Sequence, residues 1–248
     1  MKPALRNLLV LATTAAASSV LFLGAAAPVA QASVPANAAW TSGAPFALWK
    51  DGHFYLYNNV WNTRAGPGPQ TIWAYSYKHW GVQSTQSASR TVRSYPSVEE
   101  RFGYPRVSRI RGLWSSFRQS MPTARVFDAE AAYDLWLFDG KKKIEVMVWV
   151  DDHEQSPAGS LANHMTVYRQ RYALYVDKTT SNYSFRLEGR QLSSGTIHLL
   201  TMLQWLQKHR YLSARDTLWQ VDFGWEICST NGVPMDFTVT NYSLTYRG

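Results

Sequence analysis

The sequence has one cysteine, Cys228, in 248 residues. A lone thiol excludes an intrachain disulfide framework, so the fold must be held by packing, and Cys228 reads as a small buried hydrophobe. Charge is sparse, with 17% of residues Asp, Glu, Lys or Arg. The basic residues are scattered apart from Lys141-Lys142-Lys143, which follows Asp139-Gly140 and reads as a solvated turn. That dispersion argues against a nucleic-acid partner, which needs a clustered basic surface. The six histidines show no metal-ligand spacing, so no metal is expected. Long hydrophobic runs are missing beyond the first thirty residues, which excludes a later bilayer-spanning helix.

The one such run is N-terminal. Lys2 and Arg6 precede an Ala/Leu/Val stretch from Leu8 to Ala27, and Ala30-Gln31-Ala32 supplies a small-residue cleavage site. Residues 1–32 are therefore predicted to be a secretory signal peptide and residues 33–248 a single domain, which places the mature protein outside the cell. Loss of Lys2 and Arg6 lowers the net charge from +8 by two.

Aromatic residues are abundant instead: eleven Trp and fourteen Tyr, all after residue 39. Most must build a core, but flat rings also stack on the C–H faces of pyranose sugars, so the excess points toward carbohydrate. Short segments rich in β-branched and aromatic residues recur between turn signals such as Gly66-Pro67-Gly68-Pro69, Asp139-Gly140 and Asn231-Gly232. They include 54–59, 71–77, 131–138, 144–150, 164–176, 181–187, 218–223 and 237–246. One segment differs. After Ser193-Ser194-Gly195-Thr196, the apolar residues Ile197, Leu199, Leu200, Met202, Leu203 and Leu206 follow helical spacing, which predicts a serine-capped helix closing on basic residues. The fold class is thus all-β, a sandwich with one helix packed on its outer face.

Two glutamates occupy apolar surroundings: Glu145 within Ile144 to Val150 and Glu226 within Val221 to Ile227. Burying a carboxylate raises its pKa or costs several kcal/mol, so strands that carry one are candidates for a site wall. Strand alternation puts Glu145, Met147 and Trp149 on one face and Ile144, Val146, Val148 and Val150 on the other. Asp134, Trp136 and Phe138 share a face in the same way. If Asp139 to Lys142 form a four-residue hairpin loop, Phe138 pairs with Lys143, Trp136 with Glu145 and Asp134 with Met147. Asp134 then lies diagonal to Glu145, where it could donate a hydrogen bond and hold it ionised. Gln220, Asp222, Gly224 and Glu226 alternate against Val221, Phe223, Trp225 and Ile227. Two carboxyls, one held neutral as an acid and one ionised as a nucleophile, are what glycosidic bond cleavage requires.

Five segments together resemble glycoside hydrolase family 12, the endo-β-1,4-glucanases and xyloglucanases. Glu145-Val146-Met147-Val148-Trp149 is similar to its Glu-x-Met-x-Trp nucleophile strand, and Ala132-Tyr133-Asp134-Leu135 to its Ala-Tyr-Asp-hydrophobic strand. Asn58-Asn59-Val60-Trp61, Arg93-Ser94-Tyr95-Pro96 and Gly224-Trp225-Glu226 resemble its Asn-Asn-x-Trp, Lys-Ser-Tyr-Pro and Gly-x-Glu motifs, in the family's order. The resemblance implies a β-jelly roll of two antiparallel sheets and a retaining reaction, with the carboxyls about 5 to 5.5 Å apart. It implies Glu145 as nucleophile, Glu226 as acid/base and Asp134 as support for Glu145. Asn59, Trp61 and Met147 would line the sugar subsites, joined by Trp136, Trp149 and Asp222. A β-glucan is the expected partner of a monomer that uses no cofactor and has no membrane contact once the leader is removed. The alternative is a jelly roll that binds carbohydrate without turnover. Asp222 departs from the family, which carries Gln there; facing the cleft, it could raise the pKa of Glu226 by like-charge repulsion. Asn182-Tyr183-Ser184 and Asn241-Tyr242-Ser243 match glycosylation sequons but fall in predicted strands.

Overall fold

Strand alternation sorts the residues of β9 (Lys142–His153) into two faces. In the computed structural model, which describes residues 34–124 and 126–248, Ile144, Val146, Val148 and Val150 are buried in the core while Glu145 turns the other way. The leader read at 1–32 lies outside the described residues.

Fifteen strands form two sheets among the described residues. The smaller runs β1 (Trp40–Ser42), β4 (Gln70–Ser76), β5 (His79–Ser84), β15 (Met235–Arg247), β7 (Gly112–Ser120) and β13 (Ser194–Ile197), all antiparallel. The larger runs β10 (Ser160–Val167), β11 (Gln170–Asp177), β12 (Asn182–Leu187), β9 (Lys142–His153), β8 (Asp128–Asp139), β14 (Thr217–Ser229), β6 (Ser97–Arg101), β3 (Phe54–Tyr57) and β2 (Leu48–Asp51). This is the jelly-roll sandwich the sequence implied, with one departure: β12 pairs with β9 in parallel, so the larger sheet is mixed.

Large rings fill the space between the sheets. Trp80 and Trp225 meet at 5.0 Å between ring centroids and Phe223 stacks on Tyr242 at 5.8 Å. Each such ring contributes about 2 to 3 kcal/mol of burial. Some ring polar atoms are satisfied across the layers: Trp225 Nε1 donates to Gln119 Oε1 at 3.2 Å and Tyr133 O–H to Ser115 Oγ at 2.8 Å, whereas Trp80 Nε1 is buried without a partner.

Two expectations are corrected. The segment 164–176 is two strands, joined where Tyr168 and Arg169 adopt φ of +47° and +65°. That pair of left-handed residues makes a tight hairpin without the usual Gly or Asn. The helix, α1, spans Leu199–Lys208 and its N-cap is His198, with no side-chain cap bond. Ser194 to Ile197 instead pair with the edge of β7, so the backbone groups a serine cap would organise are taken by a ladder. The helix buries Leu199, Met202, Leu203 and Leu206 in the common core, and Trp205 meets Phe185 of β12 edge-on.

Candidate active site

The Asp139-Gly140 turn fixes the register of the β8–β9 hairpin. Gly140 has φ of +59°, which suits the first central position of a two-residue loop, and Asp139 pairs with Lys142. The loop is thus two residues shorter than assumed, but the register is the one expected: Phe138 faces Lys143, Trp136 faces Glu145, and Asp134 faces Met147. On the other side of β8, Asp134 faces Asp222 of β14, and Asp222 faces Glu99 of β6. Three acids therefore stand in one row across three strands. Glu226, four residues beyond Asp222, faces Glu130.

A cavity of about 550 Å³ opens over this face and is lined by six of the nine candidates: Asn59, Trp61, Asp134, Trp136, Glu145 and Glu226. Asn59 has φ of +43°, a left-handed conformation that Asn tolerates, and Tyr95 N–H donates to its carbonyl at 3.0 Å. Trp61 remains 47% exposed, free to meet a ligand. Met147 and Trp149 do not line the cavity; with Ala132 they form a small apolar cluster of their own. Asp222 is also outside the lining, buried under three donated hydrogen bonds, two from Gln220 Nε2 (2.7 and 2.8 Å) and one from Trp136 Nε1 at 3.1 Å.

Glu145 is pushed up to about 7, first by burial, against which a hydrogen bond from Asn182 acts; Glu226 then raises it and Lys143 lowers it. Asn182 Nδ2 donates to Glu145 Oε2 at 2.8 Å, and Ser184 Oγ donates to Asn182 Oδ1 at 2.7 Å, which fixes the amide's orientation. The expected bond from Asp134 is absent: its buried Oδ1 has no partner, and burial together with the charges of Glu145, Glu226 and Asp222 keeps its carboxyl well above the usual range. Lys143 is exposed but folds back, with Nζ 3.4 Å from the centroid of the Trp136 ring, so it is not merely part of a solvated turn.

Glu226 is raised by burial and drawn down by a hydrogen bond with Glu130. The acid beside Glu226 is therefore Glu130, and Asp222 acts on Asp134 and Tyr95 instead. Cys228 is buried as expected, its thiol pushed up to about 12 by burial.

Two residues of this site went unrecognised in the sequence. Glu130 shares a strand face with Asp134 by simple alternation, a signal that was present. Asn182 matched a sequon, but at 5% exposed and bonded to Glu145 it is closed to glycosylation. Only the parallel pairing of β12 with β9 brings it to the site, and no local pattern encodes that.

Carboxyls converging on a cavity with aromatic walls, carried by a two-sheet sandwich, are the arrangement of a jelly-roll glycoside hydrolase. No family model matches the chain. It is 24% identical over 221 residues to the inactive glycoside hydrolase XLP1 of Phytophthora nicotianae, covering 81% of this chain and 89% of that protein. It is 26% identical over 219 residues to endoglucanase S of Pectobacterium parmentieri, covering 72% of this chain and 77% of that one. Among solved structures, the xyloglucanase domain of NopAA, a type three effector from Sinorhizobium fredii in complex with cellobiose, superposes with a TM-score of 0.72 at 27% identity, over 84% of this chain and 99% of that one. The native family 12 xyloglucanase from Bacillus licheniformis has the same TM-score at 21% identity, over 84% of this chain and 100% of that one. The fold is that of the family 12 glycoside hydrolases, the family its motifs resemble.

Proposed function

We propose that this protein is a secreted, endo-acting, retaining glycoside hydrolase of β-1,4-glucans. The observation that carries the reading is the meeting of Glu145 and Glu226 with Asp134, Asn59 and Trp61 in one cavity. Glu145 attacks the anomeric carbon while Glu226 protonates the departing glycosidic oxygen, leaving a glycosyl ester on Glu145. Glu226, now a carboxylate, removes a proton from water, whose oxygen displaces Glu145 and restores both groups. The two carboxyls, the glycan and water balance the reaction. Asn182 and Lys143 favour the charge on Glu145, as a nucleophile requires. Trp61 offers a stacking face, and Asn59 a side chain for a sugar hydroxyl.

Secretion rests on the N-terminal leader and cleavage site. Among the described residues no helix is long and apolar enough to cross a membrane. We take the protein to act as a monomer, with 33–248 as its catalytic domain.

A second reading has a specific observation in its favour, since one relative of similar coverage is named inactive. On that reading the cleft binds glucan without turnover. The test is reducing-sugar release by the purified protein from carboxymethylcellulose, mixed-linkage glucan, xyloglucan and xylan, with Glu145→Gln alongside. Release that vanishes in the variant supports hydrolysis; glucan binding with no release from any of the four supports the binding module.

A further inference from the structure

In the ladder between β8 and β14, Glu130 stands directly opposite Glu226 and is 0% exposed. Its Oε2 accepts from Gln155 Nε2 at 2.8 Å, and that amide is steadied by the Cys228 sulfur 3.1 Å away. Its Oε1 is fully covered and no N–H or hydroxyl donor serves it, and the group that the strand register sets against it is the carboxyl of Glu226. An ionised carboxylate only accepts, so two of them cannot share a dry contact; a proton must lie between. Gln155 already donates to one oxygen of Glu130, which leaves the O–H for the other.

We propose that Glu130 stays protonated throughout turnover and donates its O–H to Glu226, making it the positioning residue of the acid/base. The inference rests on the assignment of Glu226 to that role. Burial alone would make Glu226 too weak an acid. A fixed donor at its back stabilises the carboxylate left when its own proton passes to the leaving oxygen, and holds that carboxylate in place until it regains a proton from water. Glu130 itself neither gains nor loses a proton.

The neighbouring ionisable groups are compatible with a neutral Glu130. Cys228 lies on the same strand as Glu226 and its proximity favours the neutral acid, Tyr95 comes from the segment before β6, and Asp134 and Glu145, from β8 and β9, feel the charge of Glu226 rather than that of Glu130. Asp128, further along β8, contacts Cys228. Asp152 faces Glu130 from β9, but its charge is matched by Arg186, which donates to it at 3.0 and 2.6 Å.

Two variants test this. Glu130→Gln keeps both bonds, its amide donating to Glu226 and its carbonyl accepting from Gln155, so the alkaline limb of the kcat profile on glucan should stay within about 0.3 pH unit of the parent. Glu130→Leu removes the donor. It should lower kcat on glucan by about tenfold or more with KM little changed, and move the alkaline limb up by about one unit. On 2,4-dinitrophenyl β-cellobioside, whose leaving group needs no protonation, the loss in the glycosylation step should disappear. A merely structural role would not track the leaving group. The proposal is overturned if Glu130→Gln drops the alkaline limb by about a unit, which would mean that Glu130 carries charge, or if Glu130→Leu leaves kcat on glucan unchanged. Should Glu130→Leu fail to fold, Glu130→Gln still decides. Glu226→Gln separates the underlying assignment: full glucan hydrolysis in that variant would remove Glu226 as the acid, whatever Glu130 does.

Discussion

Asn182 donates its side-chain amide to Glu145 at 2.8 Å across the parallel pairing of β12 with β9. The bond opposes the burial that pushes the Glu145 carboxyl up to about 7. Removing it with Asn182→Ala should raise the Glu145 pKa further, because the charged form loses its donor. The acid limb of kcat/KM should then move up by about one pH unit and activity at pH 6 fall about tenfold. A pH profile of glucan hydrolysis reads this directly; an unmoved acid limb would show that Asn182 does not govern the titration of Glu145.

Trp61 is half-exposed at the cavity, where its ring can be covered by a sugar. Trp61→Ala should weaken glucan binding by about 1 to 2 kcal/mol, a rise in KM of roughly five- to thirtyfold. Because the ring contributes little to the core, the melting temperature should stay where it is. An unchanged KM would remove the ring from the sugar path.

Stability should run against the usual acid lability. Glu145 is raised to about 7 and Asp151 to about 6, both chiefly by burial, and Glu130, Asp134 and Asp222 are raised too. Between the unfolded and folded pKa values the folded state binds more protons than the unfolded chain, so stability falls as pH rises through that window. The melting temperature should be higher at pH 5 than at pH 8. A midpoint that climbs steadily from pH 5 to pH 8 would contradict the burial assigned to these acids.

Gly224 precedes Glu226 by two residues for a steric reason. A Cβ there would lie 1.9 Å from the carbonyl oxygen of Pro96, a backbone atom that cannot swing aside. Gly224→Ala should cost about 3 kcal/mol or more, enough to lower the yield of folded protein, and urea unfolding would measure it. The Gly-x-Glu pattern thus joins a packing requirement to a chemical one.

Much of the site could be read from local pattern. Alternation put Glu145 opposite the core, and the Asp139-Gly140 turn fixed which residues of β8 and β9 face each other. What escaped was either non-local or unsignalled. Asn182 reaches Glu145 through a parallel pairing that joins β9 to a strand 37 residues further on. The hairpin at Tyr168 and Arg169 carries neither Gly nor Asn, and the serines before α1 were claimed by the edge of β7. Glu130 lay in plain alternation with Asp134 but sits among alanines, where no apolar contrast draws notice.

The most direct test of the central claim is to trap the glycosyl ester. The protein would be incubated with 2,4-dinitrophenyl 2-deoxy-2-fluoro-β-cellobioside, digested, and its peptides sequenced by mass spectrometry. A single fluorocellobiosyl adduct on Glu145, absent from Glu145→Gln, is the result expected of a retaining hydrolase built on this pair. An adduct on another residue, or glucan hydrolysis that inverts the anomeric centre and leaves no adduct, would contradict it.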